Sequence, residues 1–212
     1  ENLGFVRANN LALRQTHGDH ILLLNPDAEV REHSLLTLQS FLDAHPGAGA
    51  VGPRLVYGDG SLQQAAFRFP TLLQTYFDFF PWPARLLHSR LNGRYAQRAY
   101  EGQPFSADFV LGACLMIRRK AMEEVGLLDE RHFMYCEEMD WCWRLGQKGW
   151  GVWCEPRATV IHREAQSSRQ TRWPSFIEKW RSRFLFFGRY YPAWWQAANR
   201  AVVRAGLWAA SR

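Results

Sequence analysis

Three short stretches of this chain carry side chains that could hold a cation or move a proton. In HILLLNPDAEV (residues 20–30) an apolar run meets Asn25-Pro26-Asp27. An acid at the end of a buried strand is either a turn residue or an oxygen ligand for a hard cation. In FMYCEEMDWCWRLGQKG (133–149) Glu137, Glu138 and Asp140 fall within four residues. In TVIHREAQSS (159–168) a strand ends on His162. Carboxylate plus imidazole is an acceptable donor pair for Mn2+ or Mg2+, with phosphate oxygens filling the other positions. Each stretch also has a plain structural reading. Asn-Pro-Asp is a common turn, acids favour the first turn of a helix, and Asp140 stands four residues before Arg144, the spacing of an ion pair. A proton-moving role needs more than charge: flanking Phe133, Met134, Tyr135, Trp141 and Trp143 would desolvate the acids and make them stronger bases.

The elements that must position these residues follow from periodicity. Phe5, Ala8, Asn9, Ala12, Leu13 and Thr16 predict a helix over 4–17, and 20–24 reads as a strand. Leu35, Leu38 and Leu42 mark a helix over 32–45, ended by Pro46-Gly47, and a strand covers 51–57. Residues 63–105 are irregular and read as a loop-rich excursion over the active face. FVLGACLMI (109–117) reads as one buried strand with Gly112-Ala113 inside it, where small residues mark close approach by a ligand or backbone. A short helix over 120–125, a helix from Glu137 to about Gly146, and two strands (151–155 and 158–162) complete the body. This alternation predicts an α/β domain with a mostly parallel sheet. Because the first element is a helix, a preceding strand is expected to be missing. Asn2 reads as a helix cap or a ligand-side amide, and Asn9 as a core amide.

Apolar residues make up 47% and charged residues 22% of the 212, which suits a globular protein. Cys114, Cys136, Cys142 and Cys154 lack CxxC spacing and sit among apolar neighbours, as reduced buried thiols do. From Arg163 onward there are ten Lys/Arg against two acids, so the tail carries +8 and the rest −2. Ten Trp residues add flat apolar surface. Two helices are expected in the tail, one bearing Trp173, Phe176, Trp180, Phe184 and Phe187, the other running over 193–210 with Arg200 and Arg204 at its middle. Such a tail fits an anionic lipid surface or packing on the body. A pI near 9.4 also admits nucleic acid, but no nucleic-acid-binding motif appears and the charge is confined to the tail, so no nucleic-acid partner is expected.

Taken together the motifs resemble family 2 glycosyltransferases. ENLGFVRANN is similar to the family's N-x-G-F-x-x-x-N segment, and HILLLNPDA to its strand ending in a DxD-type motif. FVLGACLMIRR, GLLDERHFMYCEEMDWCWR and IHREAQSS follow in the family's order, closest to the rhamnosyltransferase-like branch, over roughly residues 1–168. The resemblance implies a GT-A (Rossmann-like) fold, a dTDP- or UDP-sugar donor, a Mg2+ or Mn2+ ion and an inverting transfer to a glycan or lipid-linked acceptor, in cell-surface polysaccharide synthesis. It implies Asp27 and His162 as metal ligands, and Glu137-Glu138 as the two-acid motif, with Glu138 the base. Asn2, Asn25, Gly112 and Ala113 fall on the donor side. Asn25 stands where the family's motif has its first acid, and HREAQSS lacks the family's glycine after the histidine. The expected layout is a catalytic domain over 1–168, lacking its first strand–helix–strand, and a basic aromatic tail over 169–212. The expected location is the cytoplasm, peripheral on the inner face of the plasma membrane. A chain without the nucleotide-holding segment would bind donor poorly, so an inactive fragment is the rival expectation.

Overall fold

The computed structural model describes residues 3–163 and 172–211. Helix α1 (Gly4–Gln15) buries Val6, Asn10 and Leu13 on one face. Strand β1 (His20–Leu24) turns through Asn25–Asp27 into the short β2 (Ala28–Val30). Helix α2 (Ser34–Ala44) buries Leu38, Phe41 and Leu42 and returns the chain to β3 (Ala48–Val56). The segment read as irregular contains structure: β4 (Leu62–Gln63), β5 (Ala66–Phe67), α3 (Leu72–Phe79) and α4 (Ala84–Leu87). Thr71 and Gln74 form a reciprocal capping box that starts α3. Then come β6 (Phe105–Ala107), β7 (Phe109–Val110), β8 (Cys114–Arg118) and α5 (Arg119–Val125). The run FVLGACLMI is therefore two strands, broken at Leu111–Ala113. Helix α6 (Glu137–Gln147) leads to β9 (Gly151–His162).

The main sheet runs β1-β8-β3-β9-β2, with β4 on β3 and β6 on β9. It is mixed, which corrects the expectation of a mostly parallel sheet. Among the described residues β3–β9 is the one parallel pairing; β8 runs antiparallel to both β1 and β3, and β2, β4 and β6 also pair antiparallel. The physical reason is topological. Strands β1, β3 and β9 share a direction, but β8 arrives from the long excursion after β3 and inserts reversed between β1 and β3. Local alternation of helix and strand cannot reveal that. Strand β9 is continuous where two strands were expected: its register against β3 slips between Pro53 and Arg54, and this irregularity accommodates Pro156.

Helices α7 (Arg172–Tyr190) and α8 (Ala193–Ala210) meet at the expected break before Pro192. They build a second core from Trp180, Phe186, Phe187, Trp195 and Val203 with Cys136 and Met139 of the body. Burying each large side chain contributes about 1.5–3 kcal/mol relative to exposure. Helix α8 lies on α3: Thr75 Oγ1 donates to Asn199 Oδ1 at 2.7 Å between fully buried partners. The backbones come close where Gly206 faces Phe79, so a Cβ at Gly206 would land on that side chain. Gly206→Val should therefore destabilise the protein by about 1–3 kcal/mol, seen as a lower urea midpoint. Gly188→Ala, at a helical glycine with open space around it, should be neutral or stabilising by up to about 1 kcal/mol.

Candidate active site

The Asn25–Ala28 segment is a turn and an acid-presenting device at once. Ala28 N donates to Asn25 O at 3.1 Å, closing the turn, and Asn25 N donates to Ala113 O at 2.9 Å, fixing it to the strand break beside β8. Strand β2 then pairs with the end of β9, Ala28 opposite His162, and Arg163 N donates to Asp27 O at 3.0 Å. Sheet pairing thus sets Asp27 against His162: Asp27 Oδ1 stands 3.3 Å from His162 Nε2. The ring's Nδ1 contacts Gln63 Oε1 at 3.0 Å in a buried setting. Two ligands on one octahedral ion with bonds of about 2.1 Å stand roughly 3 Å apart. The spacing and the oxygen–nitrogen donor set fit a Mg2+- or Mn2+-like cation.

The second group of acids sits at the head of α6. Tyr135 and Cys136 both adopt left-handed backbone, φ 71° and 64°, although neither is glycine. Such conformations carry strain and gather at functional sites. Three contacts hold this corner: Phe5 N donates to Phe133 O at 3.1 Å, Ser182 Oγ donates to Met134 O at 2.9 Å, and the Phe133 ring packs where Gly4 has no side chain. The turn delivers Glu137 and Glu138. Burial pushes both carboxyl groups above their ordinary range; the Glu138 charge pushes Glu137 further up. For Glu138 the backbone N–H groups of its own residue, Met139 and Gly112 partly offset burial. Glu138 lies against Gly112, where a Cβ would sit 3.6 Å from it. One carboxylate oxygen of each, Oε2, is buried without a hydrogen-bond partner. An acid so placed is a proton acceptor of raised basicity.

Asp140, one turn on, is committed to structure. It is fully buried and accepts from Arg144 Nε at 2.8 Å and Tyr190 Oη at 2.7 Å, with Arg189 at 3.3 Å. The expected Asp140–Arg144 ion pair is present. Asp129 and His132 join Asp140 in a group whose potential ligand atoms lie within 4.8 Å. These carboxylates are already spent on guanidinium groups, Asp129 on Arg131 at 2.6 Å and Arg189 at 2.8 Å, so a cation there would displace three arginines. Sequence reading missed this network because Asp129 and Arg189 are 60 residues apart. It also missed Gln63 and Asn10, whose buried side chain, not that of Asn9, bonds Leu128 O at 2.9 Å.

Of the residues singled out from sequence, Asp27 and His162 come together, and Gly112, Ala113, Asn25 and Glu138 are linked through the strand break. Glu137 is buried beside Glu138. Asn2, Glu164 and Ala165 lie outside the described residues. The four cysteines are buried and free.

A mixed sheet flanked by helices, with an acid turn at the end of β1 and a carboxylate pair at the head of α6, defines a GT-A fold. A solved structure titled "Crystal structure of GalNAc-T7 with UDP, GalNAc and Mn2+" matches it with TM-score 0.53 at 15% identity, covering 75% of this chain and 30% of that one. Residues 1–126 match the pattern described as glycosyl transferase family 2, and the chain belongs to that family. The matched segment holds Asn25, Asp27, Gly112 and Ala113 and ends before Glu137. The N-acetylglucosaminyl-diphospho-decaprenol L-rhamnosyltransferase of Mycobacterium tuberculosis is 29% identical over 197 residues, 89% of this chain and 61% of that protein. Rhamnosyltransferase WbbL of Escherichia coli is 25% identical over 194 residues, 88% of this chain and 70% of that protein. The chain thus spans about three-fifths of the length of the first relative.

The raised Glu137 carboxyl has a measurable sign. Above the ordinary glutamate range the unfolded state ionises while the folded state keeps its proton, so this group lowers stability as pH rises towards its folded value. Glu137→Gln should raise the melting temperature at pH 7 and leave it unchanged near pH 3, where both states are protonated; equal shifts at both pH values would contradict the assignment.

Proposed function

We propose that this protein is a glycosyltransferase that moves a sugar from a dTDP- or UDP-sugar donor to a hydroxyl of a glycan or lipid-linked acceptor, with inversion, in cell-surface polysaccharide synthesis. The observation that carries this reading is the Glu138 carboxylate, with one oxygen buried and unpartnered, lying against Gly112, whose neighbour Ala113 is tied to Asn25 of the Asp27 turn. Glu138 takes the proton of the acceptor hydroxyl, whose oxygen attacks the anomeric carbon. Burial keeps water away and makes the carboxylate a stronger base. Asp27 and His162 would hold Mg2+ or Mn2+, which when bound would neutralise charge on the leaving diphosphate. Asn25, Gly112 and Ala113 line the donor side, and the missing side chain at Gly112 leaves room beside the base.

The lipid-linked class of acceptor is supported by the diphospho-decaprenol in the mycobacterial relative's name and by the tail. Trp173, Trp194 and Trp208 are 73%, 68% and 59% exposed. On α8, Trp194, Arg204 and Trp208 lie on the solvent side, Arg200 is exposed beside them, and the helix has no acid. This suits peripheral contact with anionic lipid at the inner face of the membrane. No helix among the described residues is long and apolar enough to cross a membrane.

Glu138→Gln should lower turnover by roughly 10²–10⁴-fold while calorimetry with UDP- and dTDP-sugars plus Mn2+ shows donor affinity preserved; undiminished turnover removes Glu138 from the role. The protein should bind anionic liposomes at low salt and detach as salt rises, and Trp194→Ala with Trp208→Ala should weaken that binding. Equal binding to neutral and anionic vesicles would count against a lipid-facing tail.

A further inference from the structure

Gln63 has no place in the chemistry above, yet the fold buries it against one of the site's central groups. It is 3% exposed, and His162 is 6% exposed. Three strands converge to make the contact. In β3, Leu55 pairs with Gln63 on one side and Val160 on the other, so Gln63 and the end of β9 flank the same strand. Strand β2 pins Asp27 to His162 from the opposite edge of β9. The result is a line from the buried Gln63 and His162 out to the half-buried Asp27: Gln63 Oε1, 3.0 Å to Nδ1 of the ring, then Nε2, 3.3 Å to Asp27 Oδ1.

We propose that Gln63 is the positioning residue of the cation site: its side-chain carbonyl accepts the Nδ1 hydrogen of His162, locks the ring plane, and directs the Nε2 lone pair to the side where Asp27 waits. This rests on the reading of Asp27 and His162 as cation ligands. The physics is that of an outer partner fixing a ligand. A neutral imidazole has one donor and one acceptor nitrogen, and the hydrogen bond made by one decides the role of the other. At this depth a lost acceptor is not replaced by bulk water, so the Nδ1 hydrogen would remain unpaired. The ring would then be free to turn or to carry its proton on Nε2, where it competes with the cation.

The test compares the parent protein with Gln63→Met, which keeps length but removes the acceptor, with Gln63→Glu, which keeps an acceptor, and with His162→Ala. Mn2+ alone is titrated and the free ion is followed by electron paramagnetic resonance, with circular dichroism confirming that each variant is folded. Gln63→Met should bind Mn2+ about 10–100-fold more weakly, and Gln63→Glu should stay within a few-fold of the parent. Mn2+ binding by Gln63→Met as tight as the parent's overturns the proposal. If parent and His162→Ala bind Mn2+ equally, the cation reading itself fails. Nitrogen-15 spectra of the His162 ring in metal-free parent and Gln63→Met then decide the role of Gln63 alone: a loss of Nδ1 protonation in the variant upholds it, and identical spectra overturn it.

Discussion

The buried Asp140 carboxylate is the fixed point to which the head of α6 is tied. Its oxygens are shared by Arg144 of α6, Tyr190 and Arg189 of α7, while Arg144 also donates to Leu127 O beyond α5. A charge with no exposure is tolerated only when paired and hydrogen-bonded, and removing one partner of such a pair costs about 3–5 kcal/mol. That cost makes the arrangement of α5, α6 and α7 all-or-none. With α6 clamped one turn below its head, the carboxylates at the head cannot move away to find water.

This immobility explains how an unfavourable local arrangement persists. Two adjacent residues in left-handed backbone and two neighbouring buried acids each raise the free energy of the corner. Several terms oppose them: the positive end of the α6 dipole lies at these acids, backbone N–H groups reach Glu138, and Met139 and Cys136 anchor the corner in the second core with Trp180, Phe186 and Phe187. The tail is therefore part of what holds the Glu137–Glu138 corner. One side of α7 and α8 closes the core over the α6 head, and the other leaves tryptophan and arginine in solvent.

Much of the candidate site's geometry was legible in the sequence because its parts announce themselves locally. An apolar run ending in Asn-Pro-Asp, small residues within FVLGAC, and acids at a helix start are each visible in a window of about ten residues. The i,i+4 pair of Asp140 and Arg144 is visible for the same reason. What was not legible depends on pairings across the chain. The reversed insertion of β8 is invisible to any local pattern. So are the reach of Gln63 to His162, 99 residues apart, and of Arg189 to Asp129. The helix after Thr71 is a different case: the Thr71–Gln74 capping signature was there to be read, but phenylalanine and proline on both sides suggested irregular chain. Gly112-Ala113 was flagged rightly as a place of close approach and wrongly as strand interior, and both outcomes have one cause. The small residues sit where the strand breaks, so that the backbone can meet Glu138 on one side and Asn25 on the other.

At Asp27 the turn that the structure shows and the proposed ligand role are compatible. A carboxylate on a flexible loop would lose orientational freedom on meeting a cation. The turn closed by Ala28 N and Asn25 O, the tie from Asn25 N to Ala113 O, and the pairing of Ala28 with His162 remove that freedom in advance. Proline at the second turn position stiffens the turn further. The sheet thus spends backbone hydrogen bonds to set a side-chain distance, and 3.3 Å between Asp27 and His162 is the product. Replacing the first acid of the family's motif by Asn25 is compatible with this geometry, because the tie uses the backbone N–H of that residue rather than a side-chain charge. The same economy recurs at Gly112, which reaches Glu138 through its backbone. Gly112 and Ala113 are consecutive, so Glu138 and the Asp27 turn are both tied to one short break in the sheet.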